Sequence, residues 1–309
     1  MSQQNCRKVY GETLLDLGGK DSRIVVLEAD LSKSTMTTLF QEAFPERFFE
    51  MGIAEQNMVS TAAGLAISGK IPFVNSFAVF STGRVYDQIR QSVCLGKVNV
   101  KIIGSSCGLS DFGDGATHQS IEDVGLMRLI PNMTVLAPVD GNETRRAVEA
   151  AVDYNGPVYI RINRNDMPDI TSVDDVFTIG EPGMVRDGSD IVVFANGYMV
   201  WKALLAAASL EKQGVSVRVV NVSSLKPVNG QSIREMARGM KGIVTIEEHT
   251  LVNGLGSIVL DLFRGNPLRI ETLGIPDVFG QSAPGYEELL RHYGLDESAV
   301  IRSVEKILS

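Results

Sequence analysis

The chain has 309 residues, 44% hydrophobic and 21% charged, with a formal net charge of -8. That length exceeds one ordinary core and suits two α/β domains of a globular protein, while the acidic balance without a Lys/Arg block argues against nucleic acid or an anionic membrane as a partner. The N-terminus has no apolar signal core and no run of about 18 apolar residues occurs. Three widely spaced cysteines (Cys6, Cys94, Cys107) make no disulfide framework or zinc pattern, so the cytoplasm is the expected compartment.

Short β-branched runs alternate with helical stretches along the chain. A helix is expected near 3–17, then a strand in RIVVLEAD from Arg23, a helix over 54–69 and a strand in PFVNSF from Pro72. A helix over 84–95, a strand in VNVKIIGSS from Val98, a helix over 121–129, a strand in MTVLAPVD from Met133, a helix over 141–153 and a strand in PVYIRI from Pro157 complete the first series. Apolar strands of this kind, alternating with helices, predict a parallel sheet covered on both faces. Between Met167 and Gly188 the pattern lapses into a polar, Pro/Gly-punctuated stretch that reads as a linker. A second series follows: DIVVFANG from Asp190, a helix near 199–212, SVRVVNV from Ser216, GIVTIEEH from Gly242, LRIETLGI from Leu268, and two tail helices split at Gly294. The expected architecture is α/β, with two doubly wound domains over 1–166 and 189–309 joined by a linker over 167–188.

Three segments carry candidate chemistry. MGIAEQNMVSTAAGLA, from Met51, sets Glu55 at the start of a small-residue helix. A first-turn glutamate suits the helix dipole, but one facing a cleft among small residues can also hold a proton at neutral pH. SFAVFSTGRVYDQIRQSV, from Ser76, places Phe77 and Phe80 where a strand passes into a helix, a common ligand position in α/β folds, although from spacing alone ordinary core packing explains them better. SSCGLSDFGDGATHQSIED, residues 105–123, is a glycine-rich loop after a strand and carries Asp111, Asp114, His118, Glu122 and Asp123. It fails as a calcium loop, because Gly113, Gly115 and Ala116 stand where oxygen ligands and a turn glycine are needed. Cys107 with His118 forms a nucleophile–base arrangement that lacks any orienting or oxyanion signature.

Two further motifs have plainer readings. Gly113-Asp114-Gly115 followed by Asn142 mimics a diphosphate–metal spacing, yet Asn142 in VDGNETRRAVEAA reads as the cap of a helix. NGLGS (Asn253–Ser257) lacks the third glycine of a dinucleotide fingerprint and reads as helix packing.

In this order, the segments resemble the C-terminal half of transketolase, over nearly the whole chain. GIAEQNM resembles the family's glutamate motif, SFAVFSTGRVYDQIR its aromatic segment with an extra residue at Gly83, DGATHQSIED its DG-x-THQ-x-IED loop, and INRNDMP its arginine motif. VTIEEHTLVNGLGS and the helical tail are similar to its C-terminal domain. The resemblance implies thiamine diphosphate catalysis, in which the cofactor carries the difficult chemistry and the protein orients and tunes it. In the family a glutamate hydrogen-bonds N1′ of the aminopyrimidine, and Glu55 matches it. Phe77 and Phe80 match the aromatics against that ring, and Asp30 an acidic residue at the cofactor interface. Asp114 and His118 match contacts to donor-sugar hydroxyls; Arg164, Arg7 and Ser34 match sugar-phosphate ligands, a task that suits arginine.

Departures from the family matter as much. Ser106 stands where transketolase has a histidine before the glycine-rich loop, and Gln56 replaces the histidine after the glutamate. The family's diphosphate–Mg2+ motif belongs to an N-terminal domain that has no counterpart here. The resemblance therefore implies a separate N-terminal subunit, supplying the metal and diphosphate ligands, in an α2β2-like assembly with no metal ligands from this chain. The implied reaction moves a two-carbon ketol unit from a ketose phosphate to an aldose. Its rivals are a 2-oxoacid dehydrogenase E1 beta-type subunit, a deoxyxylulose-phosphate-synthase-like activity, and a non-catalytic scaffold subunit.

Overall fold

Two mainly parallel sheets organise residues 2–309, which the computed structural model describes. The first has seven strands in the order Ser224–Lys226, Thr134–Leu136, Val158–Ile162, Lys101–Ser105, Ile71–Phe77, Ile24–Glu28 and Phe48–Glu50. All its neighbours are parallel except Ser224–Lys226, which runs antiparallel along Thr134–Leu136. The second has five strands in the order Arg269–Ile275, Gly242–Thr250, Ile191–Ala195, Val217–Asn221 and Gly183–Arg186, of which the last is antiparallel. The fold is α/β with two doubly wound sheets, as the alternation of apolar runs and helices implies.

The strand period sorts the core. Along Ile24–Glu28 every residue is buried, because helices cover both faces. Val25 and Leu27 pack with Met58, Val59 and Ala62 of the Glu55–Ile67 helix, whereas Ile24 and Val26 pack with Tyr10 and Leu14 of the Cys6–Lys20 helix and with Ala147 and Val148. In the second sheet Ile191, Val193 and Ala195 face the Met199–Glu211 helix through Ala203, Ala206 and Leu210. Local chemistry sets the helix ends: Asn5 caps Cys6–Lys20 by accepting from Lys8 N–H, and Gly294 breaks the tail between Tyr286–His292 and Glu297–Leu308 at φ +67°.

Some expectations need correction. The Gly141–Asp153 helix is capped by Asp140, whose carboxylate accepts from Glu143 N–H; Asn142 lies inside the helix, bonded to Thr171 O and Gln4. The stretch expected as one helix over 84–95 is a single turn, Tyr86–Gln88, continued by a π-helix over Ile89–Cys94. Residues 167–188 have structured ends: Asp166–Pro168 pairs antiparallel with Gln3–Asn5, and Gly183–Arg186 joins the second sheet. NGLGS opens the Leu255–Leu262 helix, whose Leu255 and Gly256 N–H groups donate to the buried Glu247 carboxylate. Its glycines serve close packing, as expected from the missing third glycine.

Candidate active site

The candidate residues collect at the carboxyl ends of the first sheet's strands, where doubly wound folds leave a crevice. Phe77 ends its strand, Ser105 ends the next and leads into the 105–123 loop, and Ile162 leads into Arg164. Glu55 opens the helix after the edge strand Phe48–Glu50, and the residue is only 3% exposed. Its partner is Arg84, whose Nη1 donates to Glu55 Oε1 at 2.7 Å and whose guanidinium stands 4.3 Å from the Phe80 ring centroid. Glu55 is thus half of an ion pair rather than a lone carboxyl in an apolar cleft. Gln56 supports the arrangement by donating from Nε2 to Arg84 O.

Two phenyl rings and an imidazole adjoin this pair. Phe77 and Phe80 lie near-parallel, with planes 18° apart and centroids 6.3 Å apart. His118 meets both edge-on, at 6.2 Å and 5.5 Å, while its Nδ1 bonds Thr117 Oγ1. Glu55, Phe77, Phe80 and His118, distant in sequence, therefore form one constellation.

A second cluster surrounds Arg164. Its Nη1 donates to Asp111 Oδ1 at 2.5 Å and lies 3.5 Å from Asp114 Oδ2. Arg7 donates to the backbone oxygen of Ser34 at 2.9 Å, and its buried Nε has no partner. Burial, and then repulsion from Arg164, pull the Arg7 guanidinium below its ordinary range. Burial raises the Asp111 carboxyl, against the opposing pull of Arg164. Arg164 thus pairs with two carboxylates, while the nearby Arg7 keeps an unpartnered Nε–H, a donor that an oxyanion could take up.

Asp30 stands apart: its carboxylate is exposed, its backbone takes φ +60°, and its N–H donates to Glu50 Oε1. Ser106 also has a left-handed φ of +54°, uncommon for a residue with a Cβ, and its buried hydroxyl has no partner. Cys107 is buried and its thiol is pushed up by that burial, which removes the Cys107–His118 nucleophile reading. Among the described residues, no group of three or more His, Cys, Asp or Glu side chains is gathered to hold a metal ion. No helix among them is long and apolar enough to cross a membrane.

The transketolase pyrimidine binding domain model matches residues 2–169, and the transketolase C-terminal domain model residues 180–300. The chain belongs to the transketolase family. It is 42% identical over 302 residues to a putative transketolase C-terminal section of Methanocaldococcus jannaschii, covering 96% of this chain and 94% of that protein. It is 38% identical to one of the subunits of an apulose-4-phosphate transketolase of Phocaeicola vulgatus, covering 96% of each chain. A solved split-gene transketolase, an inactive β4 tetramer, superposes with a TM-score of 0.90 at 44% identity, covering 99% of both chains. This transketolase chain is therefore similar along its length to proteins that are themselves sections or subunits.

Arg84 and Asp111 are the site neighbours that sequence reasoning did not assign a role. Arg84 lies in the turn after the Ala78–Thr82 helix, and only its closeness to Phe80 in sequence hinted at a shared site. Asp111 had no signal beyond membership of an acidic loop.

Proposed function

We propose that this chain is the pyrimidine-binding, C-terminal subunit of a split, thiamine diphosphate-dependent transketolase-type enzyme. In this reading it moves a two-carbon ketol unit from a ketose phosphate to an aldose, together with an N-terminal subunit in an α2β2 assembly. The observation that carries the reading is the buried Glu55 carboxylate, linked through Arg84 to the ring of Phe80, which lies near-parallel to Phe77. A flat, nitrogen-bearing ring with one protonated edge fits a carboxylate and aromatic faces of this kind. The division into 1–166, a linker of 167–188, and 189–309 belongs to the same proposal, supported by family matches that stop at 169 and resume at 180.

Thiamine diphosphate, when bound, supplies the carbanion chemistry that breaks and remakes the carbon–carbon bond. Glu55 holds a proton at the pyrimidine nitrogen, with Arg84 fixing the carboxylate; Phe77 and Phe80 orient the ring. His118, on the edges of those rings, with Asp114 contacts sugar hydroxyls, and acts as a catalytic residue with Glu55. Arg164, Arg7 and the Ser34 segment take the sugar phosphate, consistent with the unpartnered Nε–H of Arg7. Asp30 lies at the cofactor's boundary. Mg2+ and diphosphate ligands come from the partner subunit.

Glu55→Gln in the complex reconstituted with its N-terminal partner is expected to lower kcat by about a hundredfold or more, the usual weight of a positioned proton-transfer group. Unchanged turnover would reduce this chain to a scaffold. Release of CO2 from pyruvate alone would favour a 2-oxoacid dehydrogenase subunit, and condensation of pyruvate with glyceraldehyde phosphate a synthase.

A further inference from the structure

Every substrate contact proposed above lies in the first domain, yet two of the segments that carry them, the loop at 107–111 leading to Asp114 and His118 and the stretch around Arg164, are held from the second. Glu248, buried near the end of the Gly242–Thr250 strand, accepts at Oε1 from Leu109 N–H at 2.6 Å, and at Oε2 from the Tyr286 hydroxyl at 2.6 Å. Tyr286, buried at the start of its helix, accepts in turn from Asn163 Nδ2 at 3.0 Å. Asn163 Oδ1 accepts from Asn165 N–H at 2.8 Å, and Asn165 Nδ2 donates to Ser110 O at 3.1 Å. Arg164 lies between these two asparagines, and Asp111 follows Ser110. One carboxylate therefore grips both halves of the Arg164–Asp111 pair.

The fit is tight. Gly108 takes φ +60°, and a Cβ there would stand 2.6 Å from the Glu248 carboxyl, so the loop closes on the carboxylate with no side chain between. The Glu248 backbone oxygen accepts from Arg161 Nη2 at 2.7 Å, and Arg161 Nε pairs with the buried Asp123 at 2.8 Å. In this buried network Glu248 uses both carboxylate oxygens, so releasing either arm would leave polar groups unpaired away from water.

We propose that Glu248, acting through Leu109 and through Tyr286–Asn163, is a positioning residue that sets the geometry of the Arg164 oxyanion cluster. The C-terminal domain thereby governs affinity for the phosphate of the sugar, without touching the substrate. The proposal rests on the reading of Arg164 as a phosphate ligand.

Tyr286→Phe removes a single hydroxyl and cuts only the Asn163 arm; Glu248→Ala cuts both. In the reconstituted complex, xylulose 5-phosphate and xylulose, which differ by the phosphate alone, separate positioning from general damage. Tyr286→Phe is expected to raise KM for xylulose 5-phosphate about tenfold with kcat nearly unchanged and KM for xylulose unaffected. Equal effects on both sugars, or a loss in kcat alone, would overturn the proposal. Amide hydrogen exchange on the chain itself gives a readout independent of turnover. Residues 163–167 should exchange faster in Tyr286→Phe, and both 107–111 and 163–167 in Glu248→Ala, with the Ile71–Phe77 strand unchanged. Unaltered exchange in both segments would overturn the positioning role. A wild-type complex that turns over neither sugar would instead count against the functional reading, and the exchange result would still decide whether Glu248 holds the two segments.

Discussion

Glu55 begins a helix whose cap position is Ala54, which offers no side-chain acceptor to the first turn. The side chain thus sits at the positive end of the helix and next to Arg84, which donates to its Oε1. Arg84 is half exposed, so its pairing is worth less than that of a fully desolvated ion pair. Arg84→Met, which keeps the stem over Phe80, is expected to lower stability by about 1 kcal/mol in urea unfolding, because Glu55 is left buried without its cation. No loss would mean that water or Gln56 takes over the bond. Glu55 itself was legible from its small-residue setting in GIAEQ, and Phe77 and Phe80 from a strand-to-helix junction. Their convergence with His118 was not legible from spacing alone, since contacts across tens of positions are made by the sheet.

At the scale of elements, the segment after the Ile24–Glu28 strand shows how a buried acid holds a site loop. Glu28 Oε2 accepts from both Thr35 and Thr37 hydroxyls at 2.7 Å, fixing the turn that contains Ser34. Burial pushes the Glu28 carboxyl up from 4.5 to about 7, against the opposing pull of the threonine bonds. In the unfolded chain this proton leaves near 4.5, so between 4.5 and 7 the folded state holds it more tightly. Stability from this group is present in full below 4.5 and is lost as pH rises through 7. Glu28→Gln should therefore shrink the fall in unfolding free energy between pH 5 and pH 8 by about 2–3 kcal/mol, measured by urea titration at both values. An identical pH dependence in the variant would show that Glu28 titrates normally in the folded protein.

The long central strands were read from their apolar runs, whereas Phe48–Glu50, Gly183–Arg186 and Ser224–Lys226 were not. Each has only three or four residues and lies at a sheet edge, where pairing comes from the neighbouring strand and not from intrinsic pattern. The π-helix over Ile89–Cys94 has no signature that separates it from an ordinary helix. The cap at Asp140 was misplaced by two residues because Asp, Gly and Asn in VDGN are all acceptable before a helix.

Across the whole molecule, the two sheets share a core and the second domain reaches into the first. Ser224–Lys226 extends the first sheet, His249 Nε2 accepts from Gly125 N–H, and Glu248 holds the candidate substrate loops. Burial lowers His249 to about 4, so it remains a neutral acceptor at physiological pH. None of this coupling was legible in EEHTLVNGLGS, where only the resemblance marked the segment. The family was legible because THQ and GIAEQ join uncommon residue types at fixed offsets along one chain.

The central claim is that this chain contributes the pyrimidine half of a cofactor site completed by another subunit. Calorimetry with thiamine diphosphate and Mg2+, on the chain alone and then mixed with its N-terminal partner, tests it most directly. Weak or absent binding alone, with tight binding in the mixture, is the predicted result. Tight binding by this chain without a partner would contradict the half-site account and reopen the Gly113-Asp114-Gly115/Asn142 spacing as a diphosphate–metal site.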